Sequence, residues 1–454
     1  MNAPAFGTSG LRGLVVALTP DLITDHVQAY LAACPVGGAV WVGHDLRPSS
    51  PALAGVVRDA LQAAGVDVVW AGEVPTPALA LAALDAGQGA VMVTGSHIPA
   101  DRNGLKFYTS TGEITKADEA AILAALGGAG TTGQGALRTD TGVGARYSAR
   151  YQNAYAGALE GLTLGFYAQS AVGRDLMPAL LRDLGAEVTE LGRAADFVPV
   201  DTEAVSAETR AMLADWAATG AYDAILSTDA DGDRPLLTDA AGMVIPGDVL
   251  GQITGAALGA GHAVTPVSSN SGAEAVFATV TRTRIGSPFV IAAMQGADVV
   301  GYEANGGFLL GFDAMGPAGS LPALMTRDAV LPMLAVLAAA ARQGGMAAVL
   351  AGQPQRFTAS DRLQGVPTAR SQALVADWQQ TPRNRAAFLA ELGLTEATTD
   401  STDGLRITAT DGQVVHLRPS GNAPELRCYT ESGSAQAAQG LLAHALAGLS
   451  AALE

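Results

Sequence analysis

The chain has 454 residues, of which 49% are hydrophobic and 15% charged, a composition that excludes a disordered protein and predicts about three or four domains. Its formal net charge of −17 argues against nucleic acid and anionic membranes as partners, because a strongly acidic protein repels both. Two cysteines, Cys34 and Cys428, are too few for a disulfide framework, and the first ten residues lack the pattern of a secretory signal. We therefore expect a cytoplasmic protein.

Two segments repeat the order strand, polar loop, helix, glycine, strand. Their elements are predicted at 40–43, 52–64, Gly65 and 66–70, and again at 162–167, 174–184, Gly185 and 187–191. A glycine after each helix allows a left-handed turn back into a strand, which is typical of an α/β crossover unit. A weaker third copy begins at Ala263, with a strand followed by a helical segment that extends to residue 283.

The C-terminal part has a different pattern. It predicts a helical region near 374–392, strands at 405–409 and 414–417, and a final helix from Ala435. We therefore predict an α/β fold with three similar mixed-sheet domains and a smaller C-terminal α+β domain. The predicted domains comprise residues 1–142, 143–242, 243–352 and 353–454.

The most apolar long segment runs from Leu331 to Leu350. Arg342, Gln343 and two glycines interrupt it. This pattern predicts a packed, alanine-rich helix and not a membrane span.

The stretch TGSHIPADRNGLKFY (94–108) places Ser96 beside His97 and returns toward Lys106. Lys106 and Lys116 are the only lysines among 26 basic residues, and lysine, unlike arginine, can give up a proton. A polar turn in which Ser96 caps backbone groups explains the pattern about equally well. If the stretch is functional, a serine that carries a phosphate is the better interpretation, because no nucleophile-elbow pattern surrounds it.

The stretch STDADGDRP (227–235) follows an apolar strand and contains Asp229, Asp231 and Asp233. Three carboxylates within five residues repel one another, which favours a bound divalent cation, and oxygen ligands favour Mg²⁺. Arg234 could hold a phosphate beside the metal. A solvated Asp/Gly turn is the alternative. An EF-hand fits poorly, since Arg234 stands where that loop needs glycine.

The stretch RPSGNAPELRCY (418–429) could cradle a phosphate. Arginine forks, a serine hydroxyl and backbone amides at a glycine suit such a group. The candidate residues are Arg418, Ser420, Gly421, Asn422 and Arg427. A plain turn between two strands accounts for the pattern about half the time.

The stretch GYEANGGFLLG (301–311) offers Glu303 and Asn305 on a glycine-rich loop between apolar strands. These side chains can accept and donate hydrogen bonds to sugar hydroxyls. A hairpin turn built on Asn-Gly is the alternative.

Taken in order, these four stretches and FGTSGLRG (6–13) resemble the motifs of the α-D-phosphohexomutase superfamily, the phosphoglucomutase and phosphomannomutase group. The resemblance spans the whole chain. It implies four domains around a central cleft, with a mobile fourth domain.

The resemblance also implies residue roles. Ser96 is similar to the phosphoserine that donates and recovers the phosphoryl group, and its phosphate would join the three aspartates as a Mg²⁺ ligand. The implied catalytic residues are Ser96, Arg12, His97, Lys106 and Arg234. The implied substrate-binding residues are Glu303, Asn305 and Gly306 for the sugar, and Arg418, Ser420, Gly421, Asn422 and Arg427 for the distal phosphate.

Three positions depart from the family pattern. Ile98 stands where asparagine is common, Gly307 where many members have histidine, and Ala423 where many have glutamate. The last two leave the sugar specificity open.

The resemblance implies interconversion of hexose 1-phosphate and hexose 6-phosphate, with mannose or glucose as the sugar, through a 1,6-bisphosphate that also serves as activator. We expect a small-molecule phosphosugar as partner, and a monomer or small homo-oligomer. The alternatives are a phosphoglucosamine mutase, a Mg²⁺-dependent phosphatase, a sugar-bisphosphate synthase and a phosphosugar-binding protein without turnover.

Overall fold

The computed structural model describes residues 3–7, 10–420 and 424–453. The chain divides into two compact units, the first made of residues 1–264 and 286–352 and the second of residues 265–285 and 353–454. The first unit contains three large sheets with helices packed against them, and the second contains one.

The first sheet is mixed. Its strands are β1 (Ala5–Phe6), β2 (Leu11–Leu14), β3 (Ala39–His44), β4 (Asp67–Glu73), β5 (Gly89–Val93), β6 (Arg102–Thr109), β7 (Gly112–Glu113) and β8 (Leu137–Thr139). They follow the order β1–β2–β6–β5–β3–β4–β8, and β7 pairs with β6. β3 is parallel to β4 and β5, whereas β6 is antiparallel to β5 and β2. β3 and β5 are buried along their whole length, as strands covered on both faces are.

Helices join these strands. They are a 3₁₀ turn (Val15–Ala17), α1 (Pro20–Ala33), α2 (Ser50–Ala63), α3 (Thr76–Asp85) and α4 (Lys116–Ala125). Thr19 caps α1, and Thr115 forms a reciprocal capping box with Asp118 at the start of α4, which satisfies otherwise unpaired amides. Gly65 follows α2 with a φ of 83°, so the predicted left-handed turn from helix to strand is confirmed.

The second sheet repeats the crossover pattern. Its elements are α5 (Val143–Tyr155), β9 (Thr163–Tyr167), α6 (Leu176–Asp183), β10 (Glu187–Leu191), α7 (Ala207–Ala217), β11 (Ala224–Thr228) and β12 (Pro235–Leu237). The order is β10–β9–β11–β12, with β9, β10 and β11 parallel and β12 antiparallel to β11. Gly185 follows α6 with a φ of 104°, which confirms the second predicted turn.

The third part of the chain begins with another helix and a parallel strand pair. Its elements are α8 (Gly247–Ala257), β13 (His262–Pro266), α9 (Ala273–Val276), β14 (Thr279–Thr283), α10 (Ser287–Ala293), β15 (Val299–Tyr302), β16 (Phe308–Leu310), β17 (Ala314–Met315), β18 (Ser320–Leu321), β19 (Leu324–Asp328), α11 (Val330–Gln343) and α12 (Met346–Ala351). Strands β13, β15, β16 and β19 are neighbours in that order. β15 and β16 are antiparallel and enclose the loop that carries Glu303.

The prediction of a helical segment through residue 283 in the third repeat was wrong for most of its length. Only the four residues of α9 are helical there, and β14 follows almost at once. Thr279, Val280, Thr281 and Thr283 are β-branched, and such side chains fit a pleated strand better than a helix.

The second unit contains an antiparallel sheet of five strands. Its C-terminal elements are β20 (Phe357–Gln364), α13 (Thr368–Gln380), α14 (Pro382–Glu391), β21 (Glu396–Asp400), β22 (Leu405–Ala409), β23 (Val414–Pro419), β24 (Glu425–Ser432) and α15 (Ala435–Ala452). The order is β20–β24–β23–β22–β21. The helical region predicted at 374–392 is two helices, because Pro382 cannot continue the first.

Residues 265–285 belong to this second unit through direct hydrogen bonds. The amide of Ser271 donates to the Glu431 carboxylate at 3.0 Å, and the amide of Ile285 donates to Asp403 at 3.0 Å. The segment 265–285 comes earlier in the chain than the rest of the second unit, and it is hydrogen-bonded to β24 and to the turn before β22.

The apolar segment predicted as a packed helix is α11, whose first eleven residues are buried. Gly344 ends α11 with a φ of 84°, as a left-handed helix cap does. Within the described part of the chain, none of the helices has the length and apolarity needed to cross a bilayer.

Candidate active site

The three aspartates of the metal motif lie in the loop between β11 and β12, and all three are fully buried. One oxygen from each of Asp229, Asp231 and Asp233 lies within 4.8 Å of the others. Asp231 Oδ1 and Asp233 Oδ1 have no hydrogen-bond partner among the described residues. Buried carboxylate oxygens without partners are costly unless a cation binds them, so this cluster fits a metal site.

The charges around the cluster are uneven. Burial raises the pKa of Asp229 well above its usual range, and the Asp231 and Asp233 carboxylates raise it further. Burial acts in the same direction on Asp233, but Arg327 and Lys106 outweigh it and hold the pKa of Asp233 below its usual range. Protein cations therefore compensate the charge of Asp233 more fully than that of Asp229, on which Arg234 and Lys106 act without overcoming burial.

Ser96 lies on the loop after β5 and reaches the cluster directly. Its Oγ donates a hydrogen bond to Asp229 Oδ2 at 2.5 Å, although the two residues are 133 positions apart. Its φ is 53°, an uncommon backbone conformation for a residue other than glycine. The amide of Ser96 donates to Thr94 Oγ1 at 2.8 Å, and this contact holds the strained turn. The structure thus brings together the predicted nucleophile and the predicted metal ligands.

Arg47 holds the serine loop through hydrogen bonds to its backbone, and sequence analysis missed this residue. Its fully buried guanidinium donates to the carbonyls of Ser96 and Ile98 at 2.7 and 2.6 Å, and also to those of Pro99 and of Arg102, where β6 begins. Asp45, also fully buried, pairs with it at 3.3 Å. The polar run HDLRPSS after β3 is the sequence signal that could have pointed to it.

Lys106 lies on β6 next to the same carboxylates. Its Nζ is 2.5 Å from Asp231 Oδ2 and 2.5 Å from Asp233 Oδ2, and the residue is 5% exposed. The rare lysine predicted to take part in the chemistry therefore contacts two of the predicted metal ligands.

His97 and Arg234 form a pair beside Ser96. Arg234 Nη1 donates to His97 Nδ1 at 2.9 Å, and Ser96 Oγ lies 3.3 Å from the same nitrogen. Burial and the Arg234 charge lower the pKa of His97 to about 3. The imidazole is therefore neutral near pH 7 and can accept a hydrogen bond at Nδ1. Asp201, which sequence analysis missed, lies 4.0 Å from its Nε2.

Arg12 on β2 lies close enough to the cluster to interact with Asp231 and Asp233. Burial, Arg234 and Arg327 lower its pKa to about 10, while Asp231 and Asp233 act against them. Its Nη2 is buried and has no hydrogen-bond partner among the described residues. An unpaired buried donor of this kind suits an anionic ligand such as a phosphate.

The candidate sugar loop is the turn from β15 to β16. Glu303 and Asn305 are 4% and 6% exposed. Asn305 Oδ1 accepts from the amide of Gly307 at 3.0 Å, so this oxygen stabilises its own loop. Glu303 Oε1 has no hydrogen-bond partner among the described residues and can accept from a ligand. Gly306 has a φ of 86°, which completes the turn.

Arg327 on β19 is the second buried arginine that sequence analysis missed. Its Nη2 lies 2.8 Å from Asp233 Oδ2 and its Nη1 lies 3.6 Å from Glu303 Oε1. The pair Arg327–Asp328 interrupts an apolar run that extends from β19 into α11, and that interruption is the signal that could have revealed it.

The predicted distal phosphate residues lie in the second unit. Arg418 and Arg427 face each other across β23 and β24. Like charges in that position repel, and two carboxylates offset the repulsion: Asp403 accepts from Arg418 Nε at 2.9 Å, and Glu425 lies 3.7 Å from Arg427. Ser420 is buried at the end of β23. Gly421 and Asn422 lie outside the described residues.

Models of one protein family match most of this chain. Their descriptions are phosphoglucomutase/phosphomannomutase alpha/beta/alpha domain I at residues 3–130, domain II at 145–242, domain III at 240–357 and the C-terminal domain at 365–447. The chain belongs to the phosphoglucomutase/phosphomannomutase family.

Similar proteins agree with this membership. A phosphomannomutase of Sinorhizobium fredii (strain NBRC 101917 / NGR234) is 44% identical over 473 aligned positions that cover 99% of both chains. A phosphomannomutase of Salmonella muenchen is 41% identical over 443 positions, 94% of this chain and 92% of the relative. The crystal structure of a family protein from Burkholderia thailandensis has the same fold, with a TM-score of 0.77 at 23% identity over 98% of this chain and 97% of that one. The family identifies the protein as a hexose phosphate mutase, an isomerase that moves a phosphoryl group within its substrate.

Proposed function

We propose that the protein interconverts mannose 1-phosphate and mannose 6-phosphate through a phosphorylated Ser96. The observation that carries the proposal is the 2.5 Å contact between Ser96 Oγ and Asp229 Oδ2, since it places a hydroxyl directly against a buried carboxylate cluster. The preference for mannose is supported by the two phosphomannomutases that are 44% and 41% identical to the chain.

Mg²⁺ is the proposed metal, and Asp229, Asp231, Asp233 and a phosphate oxygen on Ser96 would hold it. Oxygen-only ligands and unpaired carboxylate oxygens favour this ion. When bound, the Mg²⁺ ion would neutralise negative charge that develops on the transferring phosphoryl group.

The protein's own residues supply the remaining functions. The bond between phosphorus and Ser96 Oγ breaks as a bond to the acceptor sugar hydroxyl forms. Lys106 gives a proton to Ser96 Oγ as that bond breaks and takes the proton of the acceptor hydroxyl in its place, so that serine regains its hydroxyl and lysine its charge. Arg12 and Arg234 contact the phosphoryl oxygens, and neutral His97 stays bonded to Arg234. Positioning and charge compensation therefore account for most of the catalysis, as in other phosphoryl transfers.

The intermediate is a hexose 1,6-bisphosphate that must bind in two orientations. Glu303 accepts from the sugar hydroxyls, and Gly306 lets the loop turn close to the sugar. Arg418, Ser420 and Arg427 hold whichever phosphate is distant from Ser96. Free 1,6-bisphosphate acts as activator, because it restores phosphate to Ser96 after loss to water.

A panel of mannose, glucose and glucosamine 1-phosphates, assayed with Mg²⁺ and the matching 1,6-bisphosphate, tests the proposal. We expect the highest kcat/KM for mannose 1-phosphate and no net release of phosphate. Intact-mass measurement should show one added phosphate, absent from Ser96→Ala. Steady phosphate release would instead indicate a phosphatase, and conversion by Ser96→Ala at the native rate would contradict the phosphoserine mechanism.

A further inference from the structure

We propose that Arg327 positions the sugar-recognition loop, and that its side chain fills the space beside Gly307. The inference rests on the proposed function, because it takes Glu303 to bind the sugar. The guanidinium of Arg327 pairs with Asp233 and lies near Glu303, so we assign it a positioning role that acts through Glu303.

The guanidinium of Arg327 joins two loops that come from different sheets. Its Nη2 is 2.8 Å from Asp233 in the loop after β11, and its Nη1 is 3.6 Å from Glu303 in the loop after β15. A planar guanidinium offers several donors in a fixed fork and can serve both carboxylates at once. The metal loop and the sugar loop are therefore held at one spacing by a single side chain.

Arg327 also explains why residue 307 is glycine in this chain. Gly307 does not have a positive φ, so its backbone does not require glycine. A Cβ built there would lie 2.9 Å from Arg327 Cδ, closer than real Cβ atoms pack, and 3.1 Å from Arg327 Cγ, which is a tight contact. The loop has no side chain at this position because the aliphatic part of Arg327 already fills the space.

Other hydrogen bonds fix the backbone of the loop but do not hold the Glu303 carboxylate. The amide of Gly306 donates to the Glu303 carbonyl at 2.9 Å, and Thr202 Oγ1 donates to the Asn305 carbonyl at 2.9 Å. At the carboxylate, Arg327 Nη1 lies 3.6 Å from Oε1, and this oxygen has no hydrogen-bond partner among the described residues. Arg327 therefore orients the acceptor that the sugar would use.

Arg327→Met tests the inference. We expect the KM for mannose 1-phosphate to rise about tenfold, because the Glu303 acceptor loses its orientation. The fall in kcat should be smaller, because Lys106 still pairs with Asp233 after Arg327 is replaced. Arg327→Lys should recover part of the loss. In a Ser96→Ala background, calorimetry with mannose 1-phosphate should show the same weakening without turnover.

Arg150→Met is the matched control. Arg150 is 9% exposed and donates to the Pro322 carbonyl at 2.5 Å, so its loss loosens the same region without altering Glu303. We expect its KM to stay at the wild-type value even if urea unfolds it earlier. An equal rise in KM for Arg150→Met would overturn the proposal, since general loosening would then explain both variants.

A side-chain exchange provides a second test. Gly307→His and Arg327→Ala should each raise KM, the first because the new side chain displaces Arg327. The double variant should bind substrate better than either single variant, because a histidine then fills the emptied space. Additive losses in the double variant would contradict the shared space.

The proposed function and the role of Arg327 can be disproved separately. If the wild-type protein converts none of the hexose phosphates, the proposed function is wrong. If the wild-type protein is an active mutase and Arg327→Met has an unchanged KM, only the role of Arg327 is lost.

Discussion

Ser96 is held in place by residues that lie far from it in the sequence. Arg47 binds the carbonyls of its loop from 49 positions away, and Asp229 accepts from its hydroxyl from 133 positions away. Lys106 completes the group by contacting Asp231 and Asp233. The proposed nucleophile, fixed in this manner, needs little rearrangement at the moment of transfer.

Replacing Arg47 should affect both stability and phosphorylation. In Arg47→Met the buried Asp45 loses its guanidinium partner and four backbone carbonyls lose a donor, so we expect a loss of about 3 kcal/mol in the free energy of unfolding. Urea denaturation measures this loss, and intact-mass analysis should show less phosphate on Ser96. Arg58→Met removes an exposed pair with Asp59 and should cost under about 1 kcal/mol. Equal effects of the two variants would contradict the role of Arg47.

Lys106 should compete with a divalent cation for the same oxygens. In Lys106→Met the positive charge 2.5 Å from two carboxylates is gone, so Mg²⁺ should bind the dephosphorylated protein about tenfold more tightly, while mutase turnover is lost. Calorimetric titration with Mg²⁺ measures the first effect. Lys116→Met is the natural control, because the other lysine pairs with Glu119 on α4. Weaker Mg²⁺ binding in Lys106→Met would disprove the competition.

Sequence patterns pointed to the residues that we propose carry the chemistry, but not to the buried arginines that hold them. Ser96, Lys106 and the aspartates stand in short motifs, and short motifs can be seen along the chain. Arg47 and Arg327 could not be predicted, because what makes them structural is burial against carbonyls and carboxylates brought in from other strands. A lone arginine in a sequence is usually an exposed one.

Elements were predictable where one periodicity dominated. The repeats around Gly65 and Gly185 are regular crossover units, and the structure shows them with the predicted glycine turns. The third repeat departs from the predicted crossover pattern because its β-branched residues form strand β14 and not a helix. Edge strands such as β21 were missed, since their residues are largely exposed and show no apolar alternation. The predicted domain boundaries remain predictions.

Strand β23 contains a buried histidine, His416, whose protonation makes the stability of the second unit depend on pH. Burial lowers the pKa of His416 to about 4, below its ordinary value. Between about pH 6.5 and pH 4 the unfolded chain therefore binds a proton that the native state does not, and stability falls as the pH falls. The contribution of this one group is on the order of 3 kcal/mol.

His416→Gln tests this effect by urea denaturation at several pH values. We expect the variant to lose stability less steeply than the wild type between about pH 7 and pH 5. His444→Gln serves as control, because His444 lies exposed on α15, and it should keep the wild-type slope. Identical slopes in all three proteins would show that His416 does not titrate as its burial demands.

At the scale of the whole molecule, each unit contains one buried cysteine. Cys34 follows α1 in the first unit, and Cys428 lies on β24 in the second. Burial is the main cause that raises the pKa of each thiol to about 12. Since the thiolate is the reactive form, neither should react with a disulfide reagent in the folded protein.

The two thiols can therefore report the unfolding of the two units separately. In increasing urea we expect Cys428 to be labelled before Cys34, because the second unit is smaller and has a smaller apolar core. Cys34→Ser and Cys428→Ser variants assign each signal. Simultaneous labelling at one urea concentration would show that the chain unfolds as a single cooperative body.

The left-handed backbone at Ser96 restricts which hydroxyl amino acid can stand at the position of the proposed nucleophile. Threonine would offer the same functional group, yet its branching at Cβ makes a φ near 53° strongly unfavourable. Serine and threonine replace each other harmlessly at many surface positions. At position 96 the main-chain geometry alone disfavours threonine, whatever its hydroxyl could do.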